Sequence, residues 1–271
     1  MAPASPSALG RVLIIAGSDS GGGAGVQADI KAVTAMGGYA ATAITAITVQ
    51  NTLGVHGVHP LPLDLIEAQA RAVLDDIGAD AIKTGMLGSV AVVERVAAIL
   101  DTSEAPAVVD PVMVAKGGAA LLDADAVEAV RSLMVPRAAI LTPNAPEAEA
   151  LTGMPVADLD GQRRGGEALL QMGARAVLMK GGHVDGPTVV DLLLTPSGET
   201  LLEGPRIETT STHGTGCTLA SAVAAGLAQG RPVESAVAEA WAYVSEAIRR
   251  APGLGRGHGP LDHGWPLRDR R

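Results

Sequence analysis

Five side chains could together carry phosphoryl-transfer chemistry. They are Asp110 in "PAVVDPV", Asn144 and Glu147 in "LTPNAPEAEALTG", Lys180 in "VLMKGG", and Cys217, the one cysteine of the chain, in "HGTGCTLASAV". Carboxylate oxygens can hold Mg²⁺, a lysine can neutralise phosphate charge, and oriented amides can take up the charge that develops on a transferring group. Gly214, Thr215, Gly216 and Cys217 lead straight into an Ala-rich segment, so their N–H groups point outward at the positive end of a helix dipole. The Thr212 and Thr215 hydroxyls add donors to this anion hole. A thiol at a helix start is expected to have a lowered pKa; the alternative is a small buried hydrophobe, the common fate of unpaired cysteine. Each residue also has a plain structural reading. Asn144 in particular could N-cap the "APEAEALTG" helix, with Pro146 in its first turn.

A second glycine device closes the first apolar run, "AGSDSGGGAGVQAD", with five glycines between Gly17 and Gly25. Backbone approached closely by a ligand accounts for that density. Gly23 to Ala28 formally fit a G-x-G-x-x-A dinucleotide fingerprint, but no Asp or Glu stands between Asp29 and Asp64 to hold a ribose, which argues against a nicotinamide dehydrogenase. Neither a P-loop nor a G-x-S-x-G elbow is present, so hydrolase chemistry is disfavoured. The six histidines show no metal-ligand spacing and read as mostly solvated, with the role of His213 open.

The elements that must position these groups follow a βαβ rhythm. Strands are expected in "RVLIIAG", "YAATAITAIT", "ADAIKTGM", "PAVVDPV", "AAILTPN", "RAVLMKGG" and "TVVDLLLT". Their apolar runs are continuous, as in strands covered on both faces. Helices are expected in "VQADIKAVTAMG", "PLDLIEAQARAVLDDIG", "SVAVVERVAAIL", "DADAVEAVRSLM", "APEAEALTG", "GQRRGGEALLQMG", "CTLASAVAAGLAQG" and "PVESAVAEAWAYVSEAIRRA". From Thr188 to Thr210 the rhythm breaks into a hairpin at "TPSG". The fold class is therefore α/β: a mostly parallel sheet with helices on both faces and an antiparallel hairpin. Residues 1 to 10 read as unstructured, residues 11–271 as one domain, and "GLGRGHGPLDHGWPLRDRR" as an irregular tail.

With 47% hydrophobic residues, 1% aromatic and no Phe, the core must be built from Ala, Val, Leu and Ile, which favours regular layers. A net charge of −9 offers no electrostatic footprint for nucleic acid or an anionic membrane, so the expected partner is a small molecule. One cysteine makes no intrachain disulfide, and "MAPASPSALG" lacks a leader pattern; a cytoplasmic protein without membrane spans is expected.

Six blocks, "AGSDSGGGAGVQADIKA", "TAITVQNTLGV", "DPVMVAKGG", "LTPNAPEAEALTG", "VLMKGGH" and "HGTGCTLASAVAAGL", stand in the order found in the hydroxymethylpyrimidine/phosphomethylpyrimidine kinases of the ribokinase-like superfamily. The resemblance runs from about Arg11 to the tail. It implies a three-layer sandwich that uses ATP and Mg²⁺ to phosphorylate 4-amino-5-hydroxymethyl-2-methylpyrimidine and then its monophosphate for thiamine biosynthesis. It places Gly17, Ala24, Asp29, Gln50, Met86 and Val112 in the pyrimidine pocket, with Gln50 on the aminopyrimidine edge. It places Asp110 and Glu147 at the metal, Asn144, Lys180 and Thr212 at ATP, and Cys217 where related sugar kinases carry a catalytic Asp. A homodimer is implied too, and closure of "MVAKGGAALL" over the nucleotide is expected. Two alternatives stand beside this reading: a pyridoxal or pyridoxine kinase of the same superfamily, and a non-catalytic small-ligand-binding protein.

Overall fold

The computed structural model describes residues 9–114, 118, 121–184 and 186–269. Most of the tip of "MVAKGGAALL", and with it the expected closure, lies outside the described residues, as do residues 1–8 of the expected unstructured N-terminus. The main sheet has eight strands, introduced here in chain order: β1 (Arg11–Ala16), β2 (Tyr39–Ile44), β5 (Ala81–Thr84), β6 (Ala107–Val109), β7 (Ala138–Leu141), β8 (Val177–Met179), β9 (Thr188–Thr195) and β10 (Gly198–Pro205). Across the sheet they run β10-β9-β8-β7-β6-β5-β1-β2. The pairs from β2 through β8 are parallel, while β9 runs antiparallel to both its neighbours, β8 and β10. The hairpin expected at "TPSG" thus closes one edge of the sheet.

Alternate residues of each central strand feed opposite layers. Leu13, Ile15, Ile82, Val109 and Leu141 join one apolar cluster, with α2 (Leu63–Asp76), α3 (Val90–Leu100), α5 (Ala145–Thr152) and α6 (Leu159–Gln171). Val12, Ile14, Ala81, Val108 and Ile140 join the other, with α1 (Gly25–Ala35), α7 (Thr215–Ala228) and α8 (Val233–Arg249). This two-sided burial is why the runs are continuous rather than alternating. The shortage of large side chains is met by close approach: a Cβ on Gly226 of α7 would fall 2.7 Å from Ala236 Cβ of α8, so any larger residue there forces the helices apart.

Four segments differ from the sequence-based expectation. "YAATAITAIT" is two strands, because the chain leaves the sheet at Thr45, whose hydroxyl donates to Met86 O (2.8 Å). After that break, β3 (Ala46–Asn51) pairs antiparallel with β4 (Gly54–Pro60) as a separate two-stranded flap. The run "GVHGVHP" of β4 has too few apolar residues to announce a strand. "DADAVEAVRSLM" begins as the short α4 (Ala126–Ala129) and continues through a π-helical turn (Val130–Met134). The tail is anchored: His258 N donates to Thr52 O (2.8 Å), His213 N donates to Gly259 O (3.1 Å), and Trp265 opens α9 (Trp265–Asp269) stacked near Tyr243.

Candidate active site

The candidate groups gather at the carboxyl ends of the parallel strands, where an open α/β sheet binds its ligands. Gly17 follows β1, Met86 follows β5, Asp110 follows β6, Asn144 follows β7 and Lys180 follows β8. Gly214 starts α7 from a left-handed conformation, φ +78°, that only glycine adopts without strain, and it abuts the Gly23 carbonyl. The two glycine loops therefore touch, and the start of α7 lies against the turn after β1. The first turn of α7 leaves amides without intrahelical partners. The Thr215 hydroxyl is not one of the outward donors expected: it donates back to Thr212 O (2.8 Å).

Beneath this loop lies one charged cluster. Lys180 Nζ sits 2.9 Å from Asp110 Oδ1 and 3.6 Å from Glu147 Oε2, and a Cβ on Gly216 would lie 3.1 Å from that same nitrogen. The Thr142 hydroxyl also donates to Asp110 Oδ1 (3.1 Å). Burial alone would lower the Lys180 pKa, but Asp110 and Glu147 overcome it and hold the ammonium above its ordinary value. Burial, reinforced by Asp110, pushes the Glu147 carboxyl up against the pull of Lys180. Asn144 caps α5: its side chain accepts from Glu147 N (2.9 Å), while Glu147 Oε2 accepts from Asn144 N (2.8 Å). The structural reading of Asn144 therefore holds, and the same capping box aims Glu147 at Lys180. Asp110 and Glu147 converge on the Lys180 ammonium, and two carboxylates so placed are hard oxygen donors that could hold Mg²⁺.

A second cluster lies behind Cys217. Lys83, in the middle of β5 and fully buried, places Nζ 3.0 and 2.9 Å from the two oxygens of Asp29, and Ser221 of α7 donates to Asp29 Oδ1 (2.7 Å). Burial opposes both charges, but Asp29, with Asp110 further off, holds Lys83 protonated. Asp29, expected in the pyrimidine pocket, is thus sealed at 0% exposure, with Lys83 and Ser221 on its oxygens. The thiol does not follow the helix-start expectation. Burial pushes Cys217 up to about 11; Asp29 and Asp110 add to the rise, while Lys83 and an N–H from Gly25 work against it. The dipole of one helix turn is outweighed by desolvation.

Of the remaining pocket residues, Gly17 and Gln50 lie at the flap. Met86 Cε covers Gly17, and Ala24 donates its N–H to Asp19 Oδ2 (2.8 Å). Gln50, one residue before the end of β3, is half-buried, as are Val112 beyond Asp110 and Thr212 ahead of α7. His213 and His263 are buried, against the expectation of solvated histidines; His213 Nε2 lies 2.8 Å from Asp19 Oδ2 and 3.1 Å from Gln50 Nε2. Sequence reasoning also passed over Lys83, Asp19 and Asp191. A lysine inside the apolar run "ADAIKTGM" was the available signal for the first. Asp191 accepts Gly181 N–H beside Lys180 (2.7 Å), and burial pushes its carboxyl up to about 6.

A three-layer sandwich with a helix start over a lysine and two carboxylates is the architecture of an α/β phosphotransferase of the ribokinase-like class. The model of the phosphomethylpyrimidine kinase family matches residues 19–262. A hydroxymethylpyrimidine/phosphomethylpyrimidine kinase of Streptomyces coelicolor is 51% identical, with 98% of each chain covered. Among solved structures, the ADP complex of Bacillus subtilis pyridoxal kinase superposes with a TM-score of 0.89 at 37% identity, covering 96% of this chain and 99% of that one. A phosphomethylpyrimidine kinase from Clostridium difficile gives 0.79 at 42%, covering 88% and 99%. The chain belongs to the phosphomethylpyrimidine kinase family.

Proposed function

We propose that this enzyme transfers the γ-phosphoryl group of ATP to the hydroxymethyl group of 4-amino-5-hydroxymethyl-2-methylpyrimidine, and then phosphorylates the monophosphate, supplying thiamine biosynthesis. The observation that carries the reading is the Lys180 ammonium set between Asp110 and Glu147 directly under Gly216, beside the only thiol. Amides of Gly214, Thr215, Gly216 and Cys217 hold the transferring phosphoryl group, and Lys180 takes up charge on the phosphates. Thr212 and Asn144 border the same space. Mg²⁺, held by Asp110 and Glu147, would neutralise charge between the phosphates. Gln50 reads the ring edge and Gly17, Ala24, Met86 and Val112 shape the ring pocket, with Asp29 acting from behind through Lys83.

Cys217 is the proton acceptor for the hydroxymethyl group in this reading. Its raised pKa means that the thiol must first ionise, so kcat rises with pH on the alkaline side of neutrality. Cys217→Ala lowers kcat by roughly 10²–10⁴. An unchanged kcat in a folded variant assigns the whole effect to the amides and Lys180.

Resemblance to a pyridoxal kinase backbone supports a second substrate, but the higher identity lies with the pyrimidine kinases. ATP consumption measured with hydroxymethylpyrimidine, its monophosphate and pyridoxal in separate reactions decides the matter: turnover of the first two supports the proposal, and turnover of pyridoxal alone replaces it. A homodimer and a cytoplasmic location belong to the same reading. Exposed Ile47, Val49 and Val58 on the flap supply apolar surface for the dimer, and sedimentation tests it.

A further inference from the structure

His213 stands where four segments meet. Its ring packs against Gly23, its backbone bridges to Pro260, its N–H donates to Gly259 O, and its Nε2 faces both Asp19 of the first loop and Gln50 of the flap. Asp19 can only accept: its carboxylate takes N–H groups from Gly21 (2.7 Å), Gly23 (3.0 Å) and Ala24 (2.8 Å). These bonds and the imidazole hold it below its ordinary pKa in spite of burial. The His213 nitrogen 2.8 Å from Asp19 Oδ2 must therefore carry the proton. A protonated Nε2 has no lone pair for an amide NH₂ at 3.1 Å, so the atom of Gln50 beside it has to be the carboxamide oxygen. Turning the amide also satisfies its other end. The Thr48 hydroxyl lies 3.4 Å from that position, gives its own proton to Ser18 O (2.7 Å), and can accept from the amide NH₂. The Gln50 backbone is clamped as well, since its N–H donates to Ser20 Oγ (2.8 Å) and Ser20 Oγ donates to Gln50 O (2.7 Å). One rotatable polarity remains in an otherwise fixed side chain, and His213 sets it.

We propose that His213 is a specificity-determining positioning residue: its Nε2 proton, anchored by Asp19, fixes the donor–acceptor polarity of the Gln50 carboxamide that reads the substrate's ring edge. An aminopyrimidine edge offers an exocyclic N–H donor beside a ring-nitrogen acceptor, and an amide matches it in only one sense. With Gln50 left to turn, half of its orientations oppose like to like. The proposal rests on the functional reading for the identity of the ring, and not for the coupling between His213 and Gln50.

A double-mutant cycle of His213→Ala and Gln50→Ala, with His213→Gln as the conservative replacement, tests it on whichever of hydroxymethylpyrimidine or pyridoxal the wild type phosphorylates. His213→Ala raises KM for the alcohol about tenfold, with KM for ATP unmoved. The double variant is no worse than Gln50→Ala alone, and His213→Gln, which returns an N–H toward Asp19, recovers most of the loss. Preference for hydroxymethylpyrimidine over its analogue lacking the amino group falls in His213→Ala to the level of Gln50→Ala. Additive effects, or a fall in kcat with KM for the alcohol unchanged, overturn the proposal. Nitrogen-15 shifts of His213 in the wild type give a readout independent of turnover. A protonated Nε2 that responds to Asp19→Asn is expected, and an unprotonated Nε2 overturns the assignment even if the functional reading fails.

Discussion

Two buried lysines of this enzyme are paired with carboxylates, Lys180 at the end of β8 and Lys83 within β5, and they differ in what lies above them. Lys83 is sealed, with its side chain and that of Asp29 both at 0% exposure. Lys180 keeps 13% of its side chain accessible beneath Gly216, and its carboxylates are divided between two elements. A sealed pair has no room for a ligand, so its charge acts only on its neighbours, Cys217 first among them. An open pair can trade one partner for a phosphate oxygen or a metal. In the proposed reaction the difference separates two jobs that one buried ion pair could not perform together: setting the field at Cys217, and yielding to a phosphate.

The largest effect that tests this division is expected at the open pair. Lys180→Met lowers kcat about 10²–10³-fold and raises KM for ATP, as removal of a preorganised charge donor does. Urea unfolding shows a loss of only about 1–3 kcal/mol, because Glu147 keeps its bond from Asn144 N and Asp110 keeps that from Thr142. A variant that binds and turns over ATP normally removes Lys180 from the reaction.

Lys83→Met is expected to invert that pattern. Asp29 is left as an unpaired buried carboxylate, and stability falls by about 3–5 kcal/mol. Lys83→Met combined with Asp29→Leu recovers most of it, since replacing both members of a buried pair by apolar groups removes the uncompensated charge. Should Lys83→Met prove milder in urea than Lys180→Met, the distinction between sealed and open pairs is wrong.

The open cluster was legible in the sequence and the sealed one was not, for a physical reason. Asp110, Asn144 and Lys180 each follow an apolar run, Glu147 stands three residues after Asn144, and strand ends are where a parallel sheet places ligands, so position along the chain was enough. Lys83 and Asp29 are joined across 54 positions, from the middle of β5 to the middle of α1. A helical face and a strand interior meet there only once register is fixed. The layers and the edge hairpin followed from continuous apolar runs. The flap escaped because β4 is poor in apolar residues and β3 seemed to continue β2; the buried His213 and His263 escaped because tertiary packing covers them. The thiol was misjudged because a helix start is a local feature, whereas desolvation depends on everything folded over it.

The smallest effect bears on that thiol and on how far the sealed lysine reaches. With Cys217 pushed up to about 11, the thiol stays protonated in nearly every molecule at pH 8. Alkylation by iodoacetamide without ATP or substrate should therefore be slow near neutrality and climb about tenfold per pH unit up to pH 10. Lys83 opposes the rise, so Lys83→Met should slow alkylation further at a given pH, and more than Lys180→Met does. A rate that is already flat above pH 8 means that the helix start prevails over burial, and Cys217 is then a poised base before any substrate arrives. A steep rate that Lys83→Met leaves unchanged means that the buried pair serves the fold alone. Only a steep rate that depends on Lys83 keeps the division intact, with one lysine tuning the group that takes the proton and the other meeting the phosphate.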